Sequence, residues 1–317
     1  MRHFFDWLIL GLLGFALVTA CQYNPPQRVS SSPETPVTEC RMVTHTQGET
    51  CVPINPQRVV TLSLPTLGNT LALGIKPAGS TNEVHQGNNS VTFVPGESEG
   101  IKLVGTSQPN LEAILQLKPD LIVGVDWFSS IYPALSQIAP TVLGTLEYPT
   151  WDQHFSFLAE ALGKQDVEKA VWDHYYQRIE ELKLALGDRY KDQKISFIYL
   201  GKGQINIDTK DSFAGFILND AGLQRPASQM IEVPNAYYTV SKEEIEKADG
   251  DVLFVTTFSN DGAQAFEEIQ RDPLWQKLKA VQNNRVYSVD FMSWSAGHIL
   301  GVDGVIDDLF KYLVNTP

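Results

Sequence analysis

Asn110–Phe128 reads NLEAILQLKPDLIVGVDWF, and Ser241–Phe258 reads SKEEIEKADGDVLFVTTF. A shift of 131 positions lays Glu112 on Glu243, Ile114 on Ile245 and Asp120 on Asp251. It also brings Leu121, Ile122 and Val123 onto Val252, Leu253 and Phe254. Each copy is an acidic helix start, a short helix, a turn at Asp and an apolar strand. One supersecondary unit used twice predicts two related lobes.

Other apolar runs surround these copies: Arg58–Leu62 (RVVTL), Ile195–Leu200 (ISFIYL) and Arg285–Val289 (RVYSV). Runs so continuous suit strands covered on both faces, hence mainly parallel sheets with helical crossovers. The expected fold class is α/β, with two Rossmann-like lobes joined by one long helix and a ligand cleft between them. That helix is read from Asp166 to Leu186, where Val167, Val171, Tyr175, Ile179, Leu182 and Leu186 recur every three or four residues. Asp166 and Glu168 sit in its first turn and Lys183 in its last, as the helix dipole favours. At this length it spans about 31 Å, enough to bridge two lobes.

The amino-terminal residues read as an address. Trp7–Val18 (WLILGLLGFALV) is uncharged, too short to cross a bilayer core but suited to a signal peptide. Val18-Thr19-Ala20-Cys21 resembles a bacterial lipobox, in which Cys21 would be lipidated. Gln22–Pro36 (QYNPPQRVSSSPETP) lacks hydrophobic periodicity and reads as a solvated tether. The expected layout is a leader over 1–20, a lipid-anchored tether over 21–36 and an N-terminal lobe over 37–160. The interlobe helix follows over 161–188 and a C-terminal lobe over 189–317. The chain is then exported and anchored to the cell membrane, facing the periplasm or the exterior.

With 37 Asp+Glu against 24 Lys+Arg, the formal charge of -13 argues against nucleic acid and against electrostatic membrane binding. Cys40 and Cys51 flank a hairpin signal at Gly48, and an oxidising compartment makes a disulfide the natural reading. A metal held by Cys40, His45 and Cys51 matches no zinc spacing, and the six His show neither H-x-x-H nor H-E-x-x-H. No resident metal or cofactor is expected.

Three segments of the first half, VPINPQRVVTL (Val52–Leu62), LGIKPAGS (Leu73–Ser80) and NLEAILQLKPDLIVGV (Asn110–Val125), resemble the helical-backbone, or class III, periplasmic substrate-binding proteins of ABC importers. In the second half SFAGFILNDAGL (Ser212–Leu223), TVSKEEIEKADGDVLFV (Thr239–Val255) and WSAGHILGVDGVIDDLFKYL (Trp294–Leu313) fit the same family. Within it the likeness is to lipoproteins that receive ferric siderophores; relatives receive cobalamin or haem. The resemblance implies a monomeric receptor that hands cargo to a membrane permease. No G-x-x-x-x-G-K-[ST] occurs, so the ATPase would be a separate protein. It also implies that Glu112 and Glu243, one on each lobe, pair with permease arginines, although Glu244 lies next door.

Ligands of open α/β sheets bind beyond the carboxyl ends of the strands. That rule points to Trp127 and Phe128, to Tyr148 and Trp151, to Lys202, to Phe258 and to Trp294. Arg225 and Tyr237–Tyr238 lie in polar or Pro-containing stretches read as loops. Aromatic faces with a few cations suit a bulky iron chelate, and each of these side chains could equally fill a core. Tyr237–Tyr238 leaves direct binding of ferric iron as a minor option. An exported hydrolase is the competing class, but no G-x-S-x-G elbow is present, and Asp307–Asp308 reads as a solvated helix face.

Overall fold

The computed structural model describes residues 39–81, 99–147, 150–201, 204–257 and 260–315. The leader, Cys21 and the tether lie outside these residues, as do Tyr148, Lys202 and Phe258. The strands of the first half are β1 (Cys40–His45), β2 (Gly48–Pro53), β3 (Val59–Leu62), β4 (Gly79–Ser80), β5 (Lys102–Leu103), β6 (Leu121–Val125) and β7 (Thr141–Gly144). Those of the second are β8 (Ile195–Gly201), β9 (Gln204–Asp208), β10 (Tyr237–Val240), β11 (Val252–Thr257) and β12 (Val286–Ser288).

The first sheet has the order β5-β4-β3-β6-β7 and every pairing in it is parallel. Every residue of β3, β6 and β7 is buried, which is what their unbroken apolar runs require. The second sheet has the order β10-β9-β8-β11-β12. Here β8, β11 and β12 are parallel, while β9 runs antiparallel to both of its neighbours. Tyr237 and Tyr238 therefore belong to a strand and not to the loop expected for them.

The duplicated segment occupies matching places. Asn110 caps helix Leu111–Gln116, which leads into β6; Ser241 caps the 3₁₀ helix Lys242–Ala248, which leads into β11. Both strands pair with the first long strand of their sheet, β6 with β3 and β11 with β8.

The long helix runs from Gln165 to Leu186 and buries Tyr175, Ile179, Leu182 and Leu186. Its exposed flank is bolted to helix Gly301–Leu309, because Arg178 donates to Asp303 at 2.8 Å and to Asp307 at 2.7 Å. Asp307 is thus engaged and not merely solvated. One apolar cluster runs beneath both sheets. It joins Val59, Leu121 and Val142 to Phe155, Tyr175 and Ile179, and these to Phe197, Val252, Phe254 and Trp294. Large hinge opening would expose this shared core.

Cys40 and Cys51 are bonded across the β1–β2 hairpin, their Cα atoms 5.5 Å apart. The hairpin also serves helix Trp151–Leu162. Arg41 donates to Ala161 O at 3.3 Å, one of the terminal carbonyls that lack a partner within the helix. Gly163 follows with φ 64°, and a Cβ there would lie 2.4 Å from the Arg41 guanidinium, so glycine serves both the turn and the approach.

Candidate functional site: an interlobe cleft

The parallel strands of both sheets end at one groove of about 350 Å³. Ser63, directly after β3, holds φ 109°, a region costly for any residue with a Cβ. Its N–H donates to Thr81 Oγ1 at 2.8 Å, and its side chain caps the helix that follows. This turn sets Leu64 and Pro65 on the wall of the groove. Trp127 stands on the same side after β6, with Leu146 and Glu147 after β7. The facing wall carries Tyr199 and Gly201 at the end of β8, Gln204, Asn206 and Asp208 on β9, and Tyr237 on β10. Phe291, Met292 and Ser295 follow β12.

The residues expected from sequence divide between groove and core. Trp127 is 53% exposed and lines the groove, as does Tyr237. Trp151 reaches the lining with an edge but is otherwise buried against Phe213 and Phe216, at ring separations of 4.9 and 5.4 Å. Phe128 is buried beneath the first sheet, because one step along a 3₁₀ helix turns it away from Trp127. Trp294 lies between Phe197 and Phe254 and donates from Nε1 to Asp308 at 2.9 Å. Asp308 is therefore a hydrogen-bond partner and not part of a solvated face. Tyr238 points to the opposite face of β10 from Tyr237 and donates to Ser228 O at 3.1 Å.

Arg225 is also a structural residue. Its guanidinium donates to Thr209 O and Asp208 O, both at 2.8 Å, and to Gln229 Oε1 at 2.6 Å. It holds together the turn after β9 from below. Sequence reasoning missed Tyr199, Phe291, Glu147 and Asp208. The strand-end rule would have reached Phe291, which follows β12 more closely than Trp294 does. Tyr199 was hidden inside the apolar run of β8.

The electrostatics of the groove are set by carboxyls. Glu147 is exposed at the mouth, whereas Asp208 is only 6% exposed at the floor. Burial pushes the Asp208 carboxyl up to about 7, and the Arg225 charge and the Ser212 hydroxyl oppose that rise. Burial likewise lowers Arg225 to about 10. No group of three or more His, Cys, Asp or Glu able to hold a metal is found among the described residues.

A two-lobed α/β body with a groove at its strand ends is the architecture of a binding protein, and the family comparison decides which. The model of the periplasmic binding protein family matches residues 59–292. The chain belongs to that family. Among its relatives is the probable siderophore-binding lipoprotein YfiY of Bacillus subtilis, 32% identical over the whole of both chains. The Fe(3+)-citrate-binding protein YfmC of the same organism is 32% identical, over 90% of this chain and 88% of its own. The crystal structure of Staphylococcus aureus SirA complexed with staphyloferrin B superposes with a TM-score of 0.75 and 29% identity, covering 86% of this chain and 98% of that one.

The two glutamates expected to meet a family permease are exposed. Glu112 lies in the first turn of its helix, and Glu243 occupies the matching turn of the 3₁₀ helix. Glu244 is engaged locally: its carboxylate accepts the Ser241 N–H in a capping box and pairs with Lys247 at 2.5 Å.

Proposed function

We propose that this chain is the exported, lipid-anchored substrate-binding protein of an ABC importer. Its groove captures a ferric siderophore and delivers it to a membrane permease driven by a separate ATPase. The observation that carries the reading is the groove itself, walled from two related lobes by Trp127, Tyr199, Tyr237 and Phe291. Aromatic faces bury large area at low entropic cost and suit the apolar rim of an iron chelate. The named relatives, which bind siderophores and ferric citrate, support the same cargo class. Binding, not catalysis, is the chemistry this arrangement serves.

Glu112 and Glu243 would set the receptor on its permease, one carboxylate per lobe. Symmetric charges on a two-lobed body fix orientation on a two-fold partner more than they add affinity. Glu243 is the more exposed of the neighbouring pair and is the one that the internal repeat aligns with Glu112, which favours it over Glu244 for this role. The direct test of cargo is quenching of the intrinsic Trp fluorescence of the mature chain by ferric hydroxamate, ferric citrate, cobalamin and haemin. Saturable quenching by a ferric chelate is expected. Saturation by cobalamin or haemin alone would replace the siderophore and keep the receptor.

A further inference from the structure

The charge of the groove narrows the cargo. Among the described residues that line it, the ionisable side chains of carboxyl or basic type are Glu147 and Asp208, and neither Lys nor Arg is present. Cations near the floor are committed elsewhere. Arg225 faces down onto backbone carbonyls and Gln229, and Lys210 pairs with Asp211 and Glu232, each at 3.0 Å. The stretches of the folded body outside the described residues, 82–98, 148–149, 202–203 and 258–259, contain Lys202 and no Arg. Those stretches also hold Glu83 and Glu97, so the sequence outside the described residues adds no net positive charge to the body.

We infer that the groove selects a ferric chelate with no net negative charge, of the tris-hydroxamate class, over anionic carboxylate or catecholate chelates. This inference rests on the receptor reading above. Hydroxamate groups carry one negative charge each, so three of them neutralise ferric iron, and a pendant ammonium makes the complex cationic. Catecholates carry two charges each and leave the complex strongly anionic, and citrate-type chelates leave anionic carboxylates. An anionic chelate entering this groove would bring like charge toward Glu147, where the described lining offers aromatic faces, amides and neutral hydroxyls but no cationic side chain to receive it. Like-charge juxtaposition is the usual means by which a site rejects a near-isostere. A neutral or cationic chelate meets the same aromatic walls without that penalty. A pendant ammonium would find a carboxylate at the mouth.

The test uses the mature chain and follows Trp fluorescence with four ferric probes: the complexes of desferrioxamine B and of ferrichrome, ferric citrate, and a tris-catecholate. The hydroxamate complexes are expected to bind on the order of tenfold or more tighter than the two anionic probes. Added salt should weaken the cationic complex and spare the neutral one. Glu147→Gln, an exposed substitution that leaves the fold intact by circular dichroism, should narrow the preference severalfold. Equal or tighter binding of citrate or catecholate complexes would overturn the inference and leave the receptor standing. A preference unmoved by both salt and Glu147→Gln would overturn its electrostatic basis. Absence of binding by all four would remove the inference and the siderophore reading together.

Discussion

Asp120 and Asp251 clamp their two sheets with the same pair of bonds. Asp120 N–H donates to Arg58 O at 3.1 Å while its Oδ1 accepts Arg58 N–H at 2.8 Å. Asp251 N–H donates to Lys194 O at 2.8 Å while its Oδ2 accepts Lys194 N–H at 2.7 Å. Arg58 and Lys194 immediately precede β3 and β8, so each aspartate fixes where the neighbouring central strand begins. The sequence repeat therefore preserves a register device as well as a helix and a strand.

Asp120→Ala and Asp251→Ala should each cost about 2 kcal/mol in urea unfolding, since a charged acceptor of backbone N–H is removed. Asn, which keeps one acceptor oxygen, should cost less at both sites. A loss indistinguishable from zero would mean that water replaces the carboxylate at the strand start.

Arg225→Met should be far more damaging than an ordinary loop substitution. It leaves the Asp208 and Thr209 carbonyls and Gln229 without their shared donor and a buried carboxyl without its compensating charge. A loss of roughly 3–5 kcal/mol is expected, with part of it restored when Asp208→Asn is added. Retained stability, together with a large loss of chelate affinity, would return Arg225 to the groove.

Acid should destabilise the fold through two buried imidazoles. Burial lowers His154 to about 4 and His298 to about 3, whereas both titrate near 6.5 in the unfolded chain. Their contribution is whole above 6.5 and is lost as the pH falls toward those values. Asp208 opposes this. Its folded value is raised to about 7 from 3.8, so its contribution is greatest below 3.8 and is lost as the pH rises through 7. Two groups against one leave a net loss that starts small near pH 6.5 and steepens to roughly 1 kcal/mol per pH unit by pH 5. Denaturant midpoints across that interval should fall in the wild type and rise with acid in the His154→Gln, His298→Gln variant, provided the latter folds. If it does not, the wild-type slope alone decides.

Reversing charge at Glu112 and Glu243 should abolish siderophore uptake by cells while chelate affinity and melting temperature stay unchanged. Glu244→Arg is the contrasting variant: it breaks a capping box and an ion pair, so it should lower stability and largely spare uptake. Loss of affinity in the Glu112, Glu243 pair would place those residues in the groove or the core instead.

The fold was legible where burial on both faces leaves an unbroken apolar run, as in RVVTL, LIVGV and VLFVTT, and where one unit recurs. The long helix was legible to within a residue at its start, because its apolar stripe and terminal charges agree. The β9–β10 ribbon was harder: QINID alternates polar and apolar as a half-buried strand does but runs for only five residues, and YYTV follows a Pro-containing stretch and so looks like part of a loop. β4 and β5 are two residues each, too short for any period to register. The groove was half legible. The strand-end rule finds the neighbourhood, but the rotation of a single helical turn decides between Trp127 and Phe128, or between Phe291 and Trp294. That rotation is settled by packing partners far off in sequence. Arg225 misled for another reason: a cation in a polar stretch looks like a ligand contact until the backbone carbonyls that capture it are in place.

The apolar seam beneath both sheets has a thermodynamic corollary. Neither half can melt while the other persists, since each would strip the cover from its twin's interior. Heating should accordingly give one endotherm whose calorimetric and van't Hoff enthalpies agree, and fragments severed at either end of the connecting helix should be insoluble by themselves.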